Sequence, residues 1–215
     1  MASVPTGTTF YVASTIASAK TTTVVTNASE AVVTSAAHGY SNGDFVLILS
    51  GWGRLNKRAF RIKSVTTDTF VLEGADTTST TFYPAGTGIG TVQKISAWTQ
   101  ITQVLGISTS GGDPKNVDYK YIESDVSYSI NDGFAASSAS MDLDADSITT
   151  AGYIALKALT EVQTDTVVKQ VKRSGAITLR PCTVALNEDE SIADGQVNKV
   201  KAAMNGNNRL TRYAS

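Results

Sequence analysis

Apolar residues in this chain recur mostly at every second position, the period of a half-buried strand. Ala59–Val65 shows it clearly: Phe60 and Ile62 point one way, Arg61 and Lys63 the other. Ala135–Asp146 repeats it, with Met141 and Leu143 on one face and Ser140, Asp142 and Asp144 on the other. Phe45-Val-Leu-Ile-Leu49 is continuously apolar, which predicts a strand buried on both faces. Shorter strands are predicted at Thr8–Val12 (within Val4–Ala13), Thr21–Thr26, Ala31–Ser35 and Asp68–Glu73. Others follow over Ser96–Ser108, Asn116–Ser124, Thr166–Lys172, Ala176–Leu186 and Gln196–Met204. Turn residues separate them, among them Asn42-Gly43, Ser50-Gly-Trp-Gly53 and Ser110-Gly-Gly-Asp-Pro114. Only Ser147–Val162 reads as a helix. Ile154, Ala155, Ala158 and Leu159 form its apolar stripe, and Ser147 or Thr149 can cap its start.

These elements predict two units. Residues 21–95 read as a compact small β module, inserted into a core made of residues 1–20 and 96–215. Pro84-Ala-Gly-Thr-Gly-Ile-Gly90 reads as the linker between them. No internal repeat at a fixed period is present.

Composition sharpens this picture. A chain of 215 residues is one domain or two small ones. At that size it buries about 70% of its unfolded surface, enough to need no disulfide or metal. Only 17% of residues are charged, against 29 Thr, 22 Ser, 25 Ala and 17 Gly. An ordinary globular surface carries nearer a quarter charged residues, so this one suits a chain largely covered by copies of itself. Thr is at home on a pleated sheet because its branched Cβ packs there. The formal charge is −1, which argues against a protein that grips nucleic acid electrostatically. That total hides an imbalance. Asp113–Asp146 holds eight acidic residues and two Lys, while Val167–Ser215 holds eight basic and four acidic. Such blocks suit head-to-tail stacking of copies or salt bridges within one chain.

Little chemistry is visible. One Cys and one His exclude a disulfide framework and a Cys/His zinc site. Gly86-Thr-Gly-Ile-Gly90 lacks the following helix and Lys of a phosphate loop. Asp142-Leu-Asp-Ala-Asp146 has the opening spacing of a calcium loop, but Tyr153 stands where the bidentate Glu belongs. His38 reads as a turn-ordering residue, Cys182 as an unactivated thiol, and Trp52 and Trp98 as core or interface anchors. Asn27-Ala-Ser29 fits a glycosylation sequon. Met1–Gly7 shows no signal-peptide pattern, and no apolar run approaches the ~20 residues of a membrane span. A soluble, intracellularly made protein without catalytic centre, cofactor or metal is expected.

Several stretches in order resemble the major tail tube proteins of long non-contractile-tailed bacteriophages. They are Thr8-Thr-Phe-Tyr-Val-Ala13, Ala36-Ala-His-Gly-Tyr-Ser-Asn-Gly-Asp44, Ser50-Gly-Trp-Gly-Arg-Leu55, Asp68-Thr-Phe-Val-Leu-Glu-Gly74, Pro84-Ala-Gly86, Ser110-Gly-Gly112 and Leu210-Thr-Arg-Tyr213. The His-Gly-x-x-x-Gly-Asp element followed by Asp-Thr-Phe-x-Leu also resembles a small β-barrel module recurrent in phage structural proteins. The resemblance implies a mainly β fold: a sandwich- or barrel-like tail tube core with one flanking helix, plus the inserted module.

It also implies a function. Six copies would close into a ring, rings would stack, and DNA would leave the capsid through the resulting passive conduit. Expected partners are the chain itself, tape measure, tail terminator and tail-tip proteins, and DNA in transient passage, with no membrane. The expected location is the virion tail, after synthesis in the host cytoplasm. Lumen-facing residues are expected among Glu123, Asp125, Ser140, Asp142 and Asp144, on solvent faces of alternating strands. The competing reading is a tail-tip or fibre module that binds a cell-surface glycan through Trp52 and Tyr83.

Overall fold

The computed structural model describes residues 5–214. The expected strand residue Val4 and the start of the Met1–Gly7 segment lie outside them. The chain runs β1 (Thr9–Ile16), β2 (Lys20–Thr22), β3 (Val24–Val25), β4 (Val32–Thr34), β5 (Phe45–Ser50), β6 (Arg58–Lys63), β7 (Thr69–Leu72) and β8 (Gly90–Ile101). It continues through β9 (Val104–Ser110), β10 (Pro114–Tyr119), β11 (Tyr128–Phe134) and β12 (Ser138–Asp144) to a 3₁₀ turn (Ala145–Thr149) and α1 (Ala151–Val162). β13 (Thr166–Val171), β14 (Ile177–Ser191), β15 (Lys199–Gly206) and β16 (Thr211–Tyr213) complete it. Fourteen strands join one sheet in the order β3-β4-β7-β6-β5-β8-β1-β13-β14-β15-β12-β9, with β2 added to β8 and β16 to β14. β10 and β11 form a separate hairpin. The protein is mainly β with one α-helix, as the alternating pattern predicts.

Three apolar clusters hold the sheet's curl. One is built from Phe10, Val12, Ile101, Met141, Leu143, Val184 and Met204, and α1 covers it with Tyr153 and Leu156. A second lies within residues 25–92 around Trp52, Phe60, Ile62, Phe70 and Leu72. A third bridges them through Leu47, Ala59, Ile95, Val167, Leu179 and Tyr213. At that junction the Arg61 N–H donates to Tyr213 Oη at 2.8 Å, and Arg58 Nη2 donates to Thr211 Oγ1 at 3.3 Å.

The structure corrects several local expectations. The strand expected at Thr21–Thr26 is two: β2 pairs with β8 and β3 with β4, because the chain changes neighbours at Thr23. Ser96–Ser108 breaks at Gln103, whose φ of 57° is left-handed. Pro84–Gly90 is a packed loop, not a loose linker: Trp52 Nε1 donates to Pro84 O at 2.8 Å and to Thr87 Oγ1 at 3.0 Å. A Cβ on Gly88 would lie 2.7 Å from the Trp52 ring, so only glycine lets the loop close over the indole.

The helix also differs from its expected stripe. Thr150 is its N-cap, accepting from the Tyr153 N–H at 3.4 Å. Gly152, Tyr153 and Leu156 are its buried residues, whereas Ile154 is 56% exposed. The cause is Gly152: a Cβ there would sit 2.6 Å from Gln100 O, so the helix meets β8 at its one residue without a side chain. That contact sets the rotation and turns Ile154 and Ala158 outward.

Candidate assembly and channel surfaces

The first surface is the outer face of the four strands β14-β15-β12-β9. On β12 the buried set is Ala139, Met141 and Leu143, so Ser138, Ser140, Asp142 and Asp144 share the opposite face. Directly opposed residues of an antiparallel pair share a face. Ser140 thus stands beside Ser108 of β9 and Ala203 of β15, and Ser138 beside Ser110 and Asn205. Thr183, Ala185 and Asn187 extend the face onto β14. The result is a sheet surface of Ser, Thr, Ala and Asn.

Its charges are balanced rather than acidic. Asp142 faces Lys201 across the ladder and Asp144 faces Lys199. Lys199 Nζ donates to Asp142 Oδ2 at 3.2 Å. Both side chains are partly exposed, so the pair contributes under about 1 kcal/mol to folding, and its main effect is to neutralise the face. Asp144 has a second task, accepting from the Asp146 N–H at 3.0 Å to cap the 3₁₀ turn. Ser140 Oγ is buried without a hydrogen-bond partner among the described residues. Glu123 and Asp125 are elsewhere, in the turn joining β10 to β11, and not on an alternating strand. The five acidic and polar candidates therefore form a group of three on the sheet and a group of two at a hairpin tip.

That hairpin is the second surface. β10 and β11 project as an arm, and their register makes it amphipathic. Val117 opposes Ile130 and Tyr119 opposes Tyr128 on one side, while Asn116 opposes Asn131 and Asp118 opposes Ser129 on the other. The apolar side is open: Val117, Tyr128 and Ile130 are exposed, as are Tyr121 and Val126 at the tip, and Ile122 is 104% exposed. Tyr119, Tyr121 and Tyr128 pack on one another at 5.5 to 6.0 Å between centroids, which orders the tip. β9, the sheet's edge strand, leads into the arm's root and exposes Leu105 and Ile107 along its length. Strand alternation marked the polar side of β12, but no sequence signal separated the arm's apolar side from a core strand.

At the same root is a groove of about 780 Å³, lined by Thr109–Gly112, Phe134–Ser138, Arg180 and Gly206–Leu210. Among the described residues its lining contains two arginines and no carboxylate. Arg209 lies over the Phe134 ring, 3.8 Å from its centroid. Arg180 is half-buried, and burial pushes its guanidinium below its ordinary pKa. Neither guanidinium has an ion pair among the described residues.

The remaining candidates have structural roles. His38 Nδ1 accepts from the Tyr40 N–H at 3.0 Å, so the histidine orders its turn as expected. Trp52 and Tyr83 pack edge to face at 5.2 Å and are 2% and 8% exposed, closing both to an external ligand. Cys182 is buried, which pushes its thiol up to about 12. Asp142 and Asp144 belong to β12 and Asp146 to the 3₁₀ turn, so no loop wraps the three carboxylates. Among the described residues, no helix is long and apolar enough to cross a membrane.

The described residues thus form a mainly β protein, a curled sheet with a bland polar face and an exposed apolar arm. Residues 50–215 match the family described as "Phage tail tube protein, TTP". The chain belongs to that family and is a structural component of a virion tail. No curated protein matches it by sequence. One similar solved structure is a chain from the tail of an empty GTA particle with C6 symmetry. It is 14% identical, with a TM-score of 0.42 over 55% of this chain and 89% of that one.

Proposed function

We propose that this chain is the repeating subunit of the tail tube: six copies close into a ring, rings stack, and DNA passes through the channel. The six-fold closure and DNA passage follow from the family resemblance. The observation carrying self-assembly is the arm, whose apolar side is exposed and has no cover among the described residues. A two-stranded hairpin is at best marginally stable alone in water, and exposed apolar patches of this kind mark contact surfaces. The β9 edge adds unpaired strand hydrogen bonds, which a neighbour's strand would satisfy. The opposite flank of the four-strand face is already blunted, because Thr160 Oγ1 of α1 accepts from the Leu186 N–H at 2.8 Å.

In this reading the β14-β15-β12-β9 face, with Ser140, Asp142 and Asp144, lines the channel. A protein holds DNA by neutralising phosphates with Lys or Arg and releasing counterions. Short neutral side chains and ion-paired lysines offer little of that, so DNA slides. Residues 1–20 and 96–215 form the tube core and residues 21–95 the inserted module, a division supported by the module's own apolar cluster. The chain is non-enzymatic, and its partners are its own copies, the tape measure, terminator and tail-tip proteins, and DNA in passage. The glycan-binding alternative loses its basis, because Trp52 and Tyr83 are core residues. Electron microscopy of concentrated protein tests the reading: rings or tubes are expected. Their absence, both alone and with the tail assembly partners, would refute it.

A further inference from the structure

Resting on the ring reading above, we infer that the acidic arm tip of one copy, Glu123 and Asp125, seats in the Arg180–Arg209 groove of the next copy. Among the described residues the groove's lining has two guanidiniums and no carboxylate, so it is complementary to an acidic segment. The tip presents two exposed carboxylates with no ion pair among the described residues. Tyr121, Ile122 and Val126 flank those carboxylates, and the groove offers Phe134 and Leu210 to receive them. A half-buried guanidinium without a partner is costly, and a carboxylate from outside removes that cost.

Placement also favours this pairing. The arm leaves the body at Gly111 and Gly112 and returns at Phe134–Ser137, residues that themselves line the groove. Copies related by rotation about a ring axis carry equivalent points at equal height. The next copy's groove therefore lies level with this copy's arm root. From Pro114 to Tyr119 the strand spans about 17 Å at about 3.3 Å per residue, and the tip turn carrying Glu123 and Asp125 lies beyond it. The contact is head-to-tail, the type that closes a ring. A second acidic segment comprises Asp189 and Glu190 at the end of β14 and Asp194 in the turn that leads to β15. Those strands run from Cys182 and Gly206 beside the groove to Ser191 and Lys199, which places that turn at the far end of the sheet. It reaches an arginine groove only from another ring.

Charge exchange tests the pairing. Glu123→Lys with Asp125→Lys should raise the concentration needed for rings more than tenfold and leave thermal unfolding of the monomer unchanged. Arg180→Glu with Arg209→Glu should do the same, and combining all four should restore rings. Should the half-buried Arg180 variant fail to fold, Arg209→Glu combined with Asp125→Lys serves as the rescue pair. Asp125→Cys and Arg209→Cys chains, mixed and oxidised, should give a mixed disulfide dimer. Wild-type ring formation by the tip variant would overturn the contact while leaving the tube reading intact. Cross-linking of Arg209→Cys to Asp194→Cys in place of Asp125→Cys would also overturn it, moving the groove's partner to the adjacent ring. A wild-type protein that forms no rings, both alone and with the tail assembly partners, would instead fail the tube reading itself.

Discussion

Replacing Ile122 by serine separates folding from assembly. The side chain is 104% exposed at the tip of the β10–β11 arm and touches no apolar core of its own chain. Its removal should therefore change folding stability by no more than about 0.5 kcal/mol, the usual range for an exposed site. If a neighbouring copy covers it, burying the isoleucine contributes about 2 kcal/mol per contact. Losing that weakens each contact roughly 30-fold, at about 1.4 kcal/mol per factor of ten. Two measurements read the two effects. Thermal unfolding in dilute solution, where the chain is monomeric, should superimpose on wild type. Sedimentation velocity over a concentration series should show assembly shifted upward by about that factor. An Ile122→Ser protein that assembles at the wild-type concentration would refute the argument that the arm is an assembly element. A lowered unfolding temperature would show that the arm is packed within its own subunit.

Other outcomes follow from the sheet face and the core. Asp142→Lys with Asp144→Lys would leave four ammonium groups, with Lys199 and Lys201, where two carboxylates now balance two ammoniums. Assembly should stay near normal while DNA ejection slows, the more so at low salt, and unchanged infectivity would count against the channel assignment. Trp52→Ala empties the centre of the cluster within residues 25–92 and should cost about 3–5 kcal/mol in denaturant unfolding. A loss below about 1 kcal/mol would mean that the loop over Gly88 collapses onto the vacated space. Glu73 is held below its ordinary carboxyl pKa of 4.5, first by hydrogen bonds from Arg61, one of them 2.8 Å from Nη2 to Oε1. Because the folded pKa is the lower one, this stabilisation is present above about pH 4.5 and is lost as pH falls through the folded value. Glu73→Gln should therefore flatten the acid side of the stability profile; an identical acid limb in both proteins would refute that linkage.

The sequence by itself determined the class of the fold and the facing of its strands. Phe60 and Ile62 against Arg61 and Lys63, and Met141 and Leu143 against Asp142 and Asp144, alternate because a strand's side chains alternate, and burial follows that period. The turn role of His38 was legible for the same local reason, since its partner is two residues away. Tertiary structure alone decided which strands are neighbours and what lies opposite each face. The acidic look of β12 disappears once β15 brings Lys199 and Lys201 alongside from more than fifty residues away. The helix stripe rotates because Gly152 meets Gln100 of β8. Asn116–Ser124 reads as one strand, yet its end is the tip of an arm whose apolar side meets no core. A period reports that a side chain faces something apolar. It cannot report whether that something is this chain or the next copy, because the free energy of covering the surface is the same in both.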